Sequence, residues 1–292
     1  MDHLGLVAGM VDELGLVSLI DTLILQDHRQ RHVSVGLAVK AMILNGLGFV
    51  NRALYLMPHF FQDKPIERLL GNGVLAEHLN DDTLGRSLDR IADYGPTELF
   101  GQLSASSVHR LGLTCHTGHL DSTSIHVDGV YNSDKETVEE GVLHIKQGYS
   151  RDHRPDLNQI VVQLISEQQS GIPLWMAALS GNSNDKTAFR DTIAAHLEQL
   201  KTSVGLQLIV ADSALYSAKT LEQLRPFPWV TRVPETVGGV SDLCSSLAMR
   251  WMASRPERAV VPWCSSYGGI RHRWLVVYTR AAHERAELTV NR

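Results

Sequence analysis

The 292-residue chain has little of several features that identify common protein classes. Its three cysteines show no C-x-x-C spacing, which is not typical of a disulfide framework and indicates reduced thiols. Its apolar runs are broken by charge or glycine well short of a membrane span, and the first residues do not form a signal peptide. No G-x-S-x-G elbow is present, so a serine hydrolase is not indicated. The sequence therefore predicts a cytoplasmic, globular protein without a membrane partner.

Positive charge is also scarce. The net charge is -5, with -4 in residues 1–119, -4 in residues 120–234 and +3 in residues 235–292. A low overall basicity argues mildly against a nucleic-acid partner. An acidic middle, however, is what a site of metal-binding carboxylates produces, so charge alone leaves both interpretations open.

Residues 1–112 have the apolar spacing of helices and predict a small N-terminal helical domain. Ser34 is placed to cap a helix over Val35–Leu47, and Asn80 is among the cap candidates before a helix over Leu84–Tyr94. A helix-turn-helix over residues 66–94 is an alternative. Plain helical packing is the better interpretation, because this stretch offers only three arginines for phosphate contacts.

From residue 118 the periodicity changes to that of strands, and the predicted order to residue 234 is β-β-β-α-β-α-β. This order matches an α/β ribonuclease H-like core, in which a parallel strand lies beside the first strand. Asp121 follows the apolar start of the first strand, and Asp212 follows the fourth strand. Adjacent strands would bring the two aspartates together although they lie 91 residues apart in sequence.

Two carboxylates on neighbouring strands can hold a divalent metal ion, and Mg²⁺ prefers such hard oxygen ligands together with water and phosphate. Metal held in this way supports phosphodiester cleavage. The alternative is that each aspartate only caps a following turn, Asp212 especially. A zinc site at Cys115, His116 and His119 is not favoured, because no second ligand pair follows at a suitable spacing.

Several basic residues near the aspartates are candidates for contacts with nucleic acid. Lys146, Arg151 and Arg154 lie in or beside the polar segment 148–159, and Lys186 lies near the start of the helix after Gly181. The alternative is an ordinary solvated loop and a strand-to-helix turn with a capping asparagine.

Four segments together resemble the DDE transposases of bacterial insertion sequences, in the branch with a β-rich insertion before the last catalytic acid. They are Leu120-Asp121-Ser122-Thr123-Ser124, the run Gly-Tyr-Ser-Arg-Asp-His-Arg-Pro-Asp-Leu-Asn-Gln at 148–159, Gly181-Asn182-x-x-Asp185-Lys186, and Ile209-Val210-Ala211-Asp212-Ser213. The resemblance implies a ribonuclease H-like core that uses Mg²⁺, for which Mn²⁺ can substitute. It implies hydrolysis and strand transfer at transposon ends, with terminal repeats and target DNA as partners. Asp121 and Asp212 are then the first two acids of the catalytic triad.

The resemblance also predicts a third acid, a glutamate on a helix beyond the insertion. Glu222 comes too early for this role, and the glutamates after residue 280 lack the Tyr-x-x-Arg-type context. We therefore expect a C-terminally truncated transposase with impaired activity, which would pair ends as a homodimer when full length. The expected divisions are a helical domain at 1–112, the first part of the catalytic core at 118–234 and the beginning of the insertion at 235–292. Alternatives are a DNA-binding remnant without catalysis and a stand-alone nuclease that uses Glu222.

Overall fold

The computed structural model of the chain describes residues 3–25, 32–49, 51–129, 131, 142–150, 154–254 and 256–290, without the side chains of residues 185, 186 and 290. Two compact units are present. The first comprises Met1–Cys115 with Leu164–Ser166 and Ser170–Ala178, and the second comprises His116–Gln163, Glu167–Gln169 and Leu179–Arg292. No described helix is both long enough and apolar enough to cross a membrane.

Within the first unit, the described part of Met1–Cys115 is helical, as predicted. Its helices are α1 (Leu4–Glu13), α2 (Leu16–Leu23), α3 (Val35–Gly46), α4 (Met57–Phe61), α5 (Ile66–Leu70), α6 (Asp81–Tyr94) and α7 (Pro96–Arg110). The Ser34 side chain accepts a hydrogen bond from the Leu37 N–H at 3.2 Å, and Asn80 accepts one from the Thr83 N–H at 2.9 Å. Both predicted caps are confirmed. The Asn80 cap starts α6 three residues earlier than the apolar pattern indicated, because cap and first-turn residues need not be apolar.

The core of this unit consists of buried side chains from α1, α3, α4, α5 and α6, with Leu44, Met57 and Leu84 fully buried. Each such side chain stabilises the unit by roughly 1.5–3 kcal/mol relative to exposure. Between residues 66 and 94 the helix α5 has only five residues and residues 71–80 separate it from α6. This arrangement lacks the short turn between two helices of a helix-turn-helix, so plain packing is the better description.

The second unit contains the strands that carry the aspartates. The strands of the central sheet are β1 (Thr117–Val127), β2 (Asn158–Glu167), β3 (Pro173–Ser180), β4 (Leu208–Ala211) and β5 (Trp229–Thr231), in the order β3-β2-β1-β4-β5. β4 is parallel to both of its neighbours, β1 and β5. This order, with the fourth strand beside the first, confirms the predicted ribonuclease H-like α/β fold.

Helices α8 (Asp185–Val204) and α9 (Ala218–Gln223) connect the strands. The predicted apolar face of α8 is buried, with Phe189 0% exposed. Thr192 on the same helix donates a hydrogen bond to the buried Gln163 Oε1 at 2.6 Å. This bond joins α8 to β2 and satisfies the hydroxyl of Thr192 inside the core.

The chain continues after residue 234 with α10 (Val240–Ser254), β6 (Arg258–Ser265), β7 (His272–Thr279) and α11 (Arg280–Val290). β6 and β7 form an antiparallel hairpin in which Trp263 pairs with Trp274. The turn of the hairpin packs on α9, where a Cβ on Gly268 would lie 3.0 Å from the Ala218 Cα. Gly268 also has φ +66°, which glycine adopts at no steric cost.

Candidate active site

The two aspartates directly follow a pair of register partners on neighbouring parallel strands. Leu120 on β1 pairs with Ala211 on β4, Asp121 is the next residue of β1, and Asp212 is the first residue after β4. Adjacent strands lie about 4.8 Å apart, so the topology brings the backbones of both residues together. The prediction that these two residues are neighbours in space agrees with this register.

Local hydrogen bonds orient both carboxylates. Asp212 Oδ1 accepts a hydrogen bond from the Ala214 N–H at 2.9 Å and caps a short 3-10 helix over Ser213–Leu215. Asp121 Oδ1 accepts one from the Ser122 N–H at 2.8 Å. Both aspartates are exposed. The capping role considered for Asp212 therefore exists, but it uses one oxygen only, and Oδ2 has no hydrogen-bond partner among the described residues.

A cavity of about 360 Å³ lies beside Asp212. Six of its twelve lining residues carry a hydroxyl group, and the lining residues are Ser122, Thr123, Ser124, Tyr149, Val161, Gly181, Ser183, Asn184, Asp212, Ser213, Ala214 and Pro234. Asp121 itself does not line it. Because side chains alternate along a strand, Asp121 lies on the face opposite the buried Leu120 and Ser122. The cavity is thus shared by Asp212 and the residues that follow Asp121.

The donor set of the site fits Mg²⁺ in chemical type. Two exposed carboxylates on adjacent strands offer hard oxygen ligands, and water and substrate phosphate can supply the remainder of an octahedral shell. Among the described residues no group of three or more His, Cys, Asp or Glu side chains is placed to hold an ion. Neither Glu222 nor the Cys115–His119 stretch therefore forms such a cluster in the described part of the chain.

The segment before β2 is tied to the end of β3 by buried hydrogen bonds. Lys146 and Gln159 exchange two backbone hydrogen bonds, at 3.0 and 3.3 Å. The side chain of Gln159, which is 0% exposed, donates to the carbonyl oxygens of Gly181 at 2.8 Å and Tyr149 at 3.1 Å. Sequence reasoning missed this role of Gln159. Its position at the start of a β-branched strand, close to two glycine-containing motifs, was the available signal.

The four basic residues that were predicted to contact nucleic acid differ from one another in their surroundings. Lys146 is half-buried, and Arg154 forms a two-point ion pair with Asp156, with N–O distances of 2.9 and 2.8 Å. Hydrogen bonding to this guanidinium lowers the pKa of Asp156 below its usual range, and the same bond raises the pKa of Arg154. Arg151 and the side chain of Lys186 lie outside the described residues. Arg154 is therefore already engaged with a carboxylate in this structure.

Comparison with known proteins gives two family matches. Residues 117–250 match the family model described as "Transposase DDE domain", and residues 1–105 match "Domain of unknown function (DUF4277)". No curated protein matches the chain.

A solved structure, "Mos1 transposase paired-end complex with left transposon end", is 10% identical over 68% of this chain and 65% of that chain, with a TM-score of 0.27. The chain thus spans less than two thirds of that transposase. A TM-score this low does not support any inference about the fold or function of the chain. Residues 117–250, which include both aspartates and all twelve residues that line the cavity, are similar to the transposase DDE domain family.

Proposed function

We propose that the chain acts in DNA transposition as an insertion-sequence transposase of the bacterial type. Its reaction is metal-dependent phosphodiester hydrolysis and strand transfer at transposon ends, on DNA in the cytoplasm. The observation that carries the proposal is the register of Asp121 beside Asp212, within a segment that matches the transposase DDE domain. Either aspartate alone would be an ordinary capping residue.

In this proposal Asp121 and Asp212 hold Mg²⁺, or Mn²⁺ in its place. The bound ion would stabilise negative charge on the attacking and leaving oxygens of a phosphodiester. The hydrogen bond from the Ala214 N–H fixes one oxygen of Asp212 and leaves the other for the ion. The hydroxyl-lined cavity offers donors to the phosphate oxygens of the DNA strand.

We further propose that this chain by itself is impaired. A two-ion mechanism usually needs more than two carboxylates, and no third acid joins the pair among the described residues. We keep the divisions 1–112, 118–234 and 235–292 as proposals, with end binding assigned to the helical domain. We also keep the pairing of ends by a homodimer. In this scheme Lys146, Arg151, Arg154 and Lys186 contact the DNA backbone.

The test uses a supercoiled plasmid that carries the terminal repeats of the element, incubated with purified chain and Mg²⁺ or Mn²⁺. We expect weak nicking at the ends that Asp121→Asn and Asp212→Asn each abolish, while a gel shift shows unchanged end binding. Replacing aspartate with asparagine keeps the side-chain volume and removes the charge that binds metal.

Glu222→Gln is the matched control, because it removes an exposed carboxylate from α9 by the same chemistry. Wild-type nicking that both aspartate variants retain would refute the assignment of the metal ligands. End binding with no cutting under any condition would favour a DNA-binding remnant. Loss of cutting in Glu222→Gln would favour a stand-alone nuclease.

A further inference from the structure

Tyr149 is an exposed aromatic side chain at the candidate active site. It is 85% exposed and lines the same cavity as Asp212. Its ring is therefore open to solvent beside the cavity and available for contact with a ligand.

The backbone that carries Tyr149 is fixed on both sides. Its carbonyl oxygen accepts a hydrogen bond from the buried Gln159 side chain at 3.1 Å. Gly148, the preceding residue, packs so closely that a Cβ there would meet Gln159 Nε2 at 2.7 Å and would clash with the Gly181 carbonyl. Ser150, the following residue, is 7% exposed, and its Oγ lies 3.3 Å from His126 Nε2. An exposed ring on so firmly held a backbone is prepared for a contact, because little backbone freedom remains to be lost on binding.

We propose that the ring of Tyr149 stacks on a nucleotide base next to the phosphate that is cut. This inference rests on the proposed function, since it assumes that a DNA strand enters the cavity beside Asp212. Every base has a π-face, so an exposed aromatic ring binds single-stranded or unpaired nucleotides without regard to sequence. The hydroxyl groups in the wall of the cavity can donate hydrogen bonds to the phosphate of such a nucleotide.

The proposal predicts different effects for removal of the Tyr149 hydroxyl and for removal of the whole ring. Tyr149→Phe should bind and cut like the wild type, because stacking needs the ring only. Tyr149→Ala should weaken the binding of ends with unpaired nucleotides at the cleavage site by about 5- to 150-fold, the range expected for one stacked base. An exposed side chain can be truncated without creating a cavity, so both variants should fold normally.

The experiment measures binding and cleavage separately. Terminal-repeat DNA carries 2-aminopurine on either side of the cleaved phosphate. Its fluorescence in the presence of Ca²⁺ reports binding, and this measurement does not require cleavage of the DNA. Wild type and Tyr149→Phe should change the fluorescence on binding, and Tyr149→Ala should not. Trp263→Ala is the control, since Trp263 on β6 is an exposed aromatic side chain (51%) that does not line the cavity. Nicking in Mn²⁺ is then measured on the same DNA.

The outcomes distinguish the two proposals. Equal fluorescence changes and equal affinities for Tyr149→Ala and wild type overturn the stacking role, whether or not the chain cuts. Loss of the signal in Tyr149→Phe as well as in Tyr149→Ala also overturns it, because the hydroxyl would then be the essential group. If the stacking signal depends on the ring but the aspartate variants retain all nicking, the proposed metal site fails and the contact with the base stands.

Discussion

Replacing Tyr216 with phenylalanine should destabilise the second unit, because its hydroxyl bonds to two side chains of β7 there. Tyr216 follows the segment that Asp212 caps and is 3% exposed. Its hydroxyl lies 2.7 Å from His272 Nε2 and accepts a hydrogen bond from Trp274 Nε1 at 2.8 Å. His272 Nδ1 lies 2.7 Å from the Ile270 carbonyl, so Nδ1 carries the proton and Nε2 accepts from the tyrosine.

The magnitude follows from these contacts. Phenylalanine keeps the ring, including its stacking on Tyr267 at 5.0 Å, and removes only the hydroxyl. Two hydrogen bonds at about 1 kcal/mol each are lost, and a buried acceptor on His272 is left without its donor. Trp274 Nε1 also lies 3.2 Å from His272 Nε2, which offsets part of that cost. We expect a decrease of about 2 kcal/mol in the free energy of unfolding.

The assay is urea unfolding followed by tryptophan fluorescence, since Trp229 and Trp274 both lie in this cluster. Tyr278→Phe in the same hairpin is the control, because its hydroxyl has no hydrogen-bond partner among the described residues and should cost less than about 0.5 kcal/mol. Equal midpoints and slopes for Tyr216→Phe and wild type would refute the reasoning.

The pH dependence gives a second check on Tyr216. Burial raises the pKa of this phenol above its ordinary value of about 10. The unfolded chain therefore loses the phenolic proton first as the pH rises, and the stability that depends on the protonated form is lost between pH 10 and the higher pKa of the folded state. Tyr216→Phe lacks this proton, so the difference in the free energy of unfolding between this variant and the wild type should become smaller above pH 10. A constant deficit from pH 8 to pH 11 would contradict this account.

Two further predictions concern the surroundings of the cavity. Gly181→Ala should lower the free energy of unfolding by about 1–3 kcal/mol, because a Cβ there would meet the backbone of two neighbouring segments. Gly85→Ala in α6 should be neutral or stabilising in the same urea unfolding assay, because a Cβ there would have no heavy atom within 4 Å. An equal loss of stability for both variants would contradict the packing argument. Asp156→Asn should release Arg154 and tighten the binding of end DNA in low salt, with a steeper salt dependence. Affinity and salt slope unchanged in a filter-binding assay would show that Arg154 does not contact DNA.

The fold could be predicted largely from local signals. Ser34 and Asn80 mark helix starts because their side chains bond to N–H groups three residues ahead, which is a property of the local sequence. The strand order was predicted because the order of the elements matches the ribonuclease H-like arrangement, in which a parallel strand lies beside the first strand. For this reason the adjacency of Asp121 and Asp212 was predictable although 91 residues separate them.

Contacts made by long polar side chains could not be predicted in this way. Arg154 was predicted to be a candidate for contact with nucleic acid, but Asp156 two residues later accepts hydrogen bonds from its guanidinium, and nothing in the sequence distinguishes that pair from two solvated charges. Gln159 has an ordinary polar side chain in the sequence, and only the approach of β3 to the preceding segment buries it.

The sequence by itself therefore determined which residues form strands and helices, and predicted that Asp121 and Asp212 lie on neighbouring strands. The tertiary structure alone decided that Asp212 lines the cavity while Asp121 does not, that Gln159 fixes the backbone of Tyr149, and that Tyr216 bonds to a hairpin 56 residues later. The physical reason is the distance along the sequence over which each kind of interaction acts. Helix caps and strand patterns depend on neighbours within a few residues, whereas burial of a polar group depends on which distant segments pack against it.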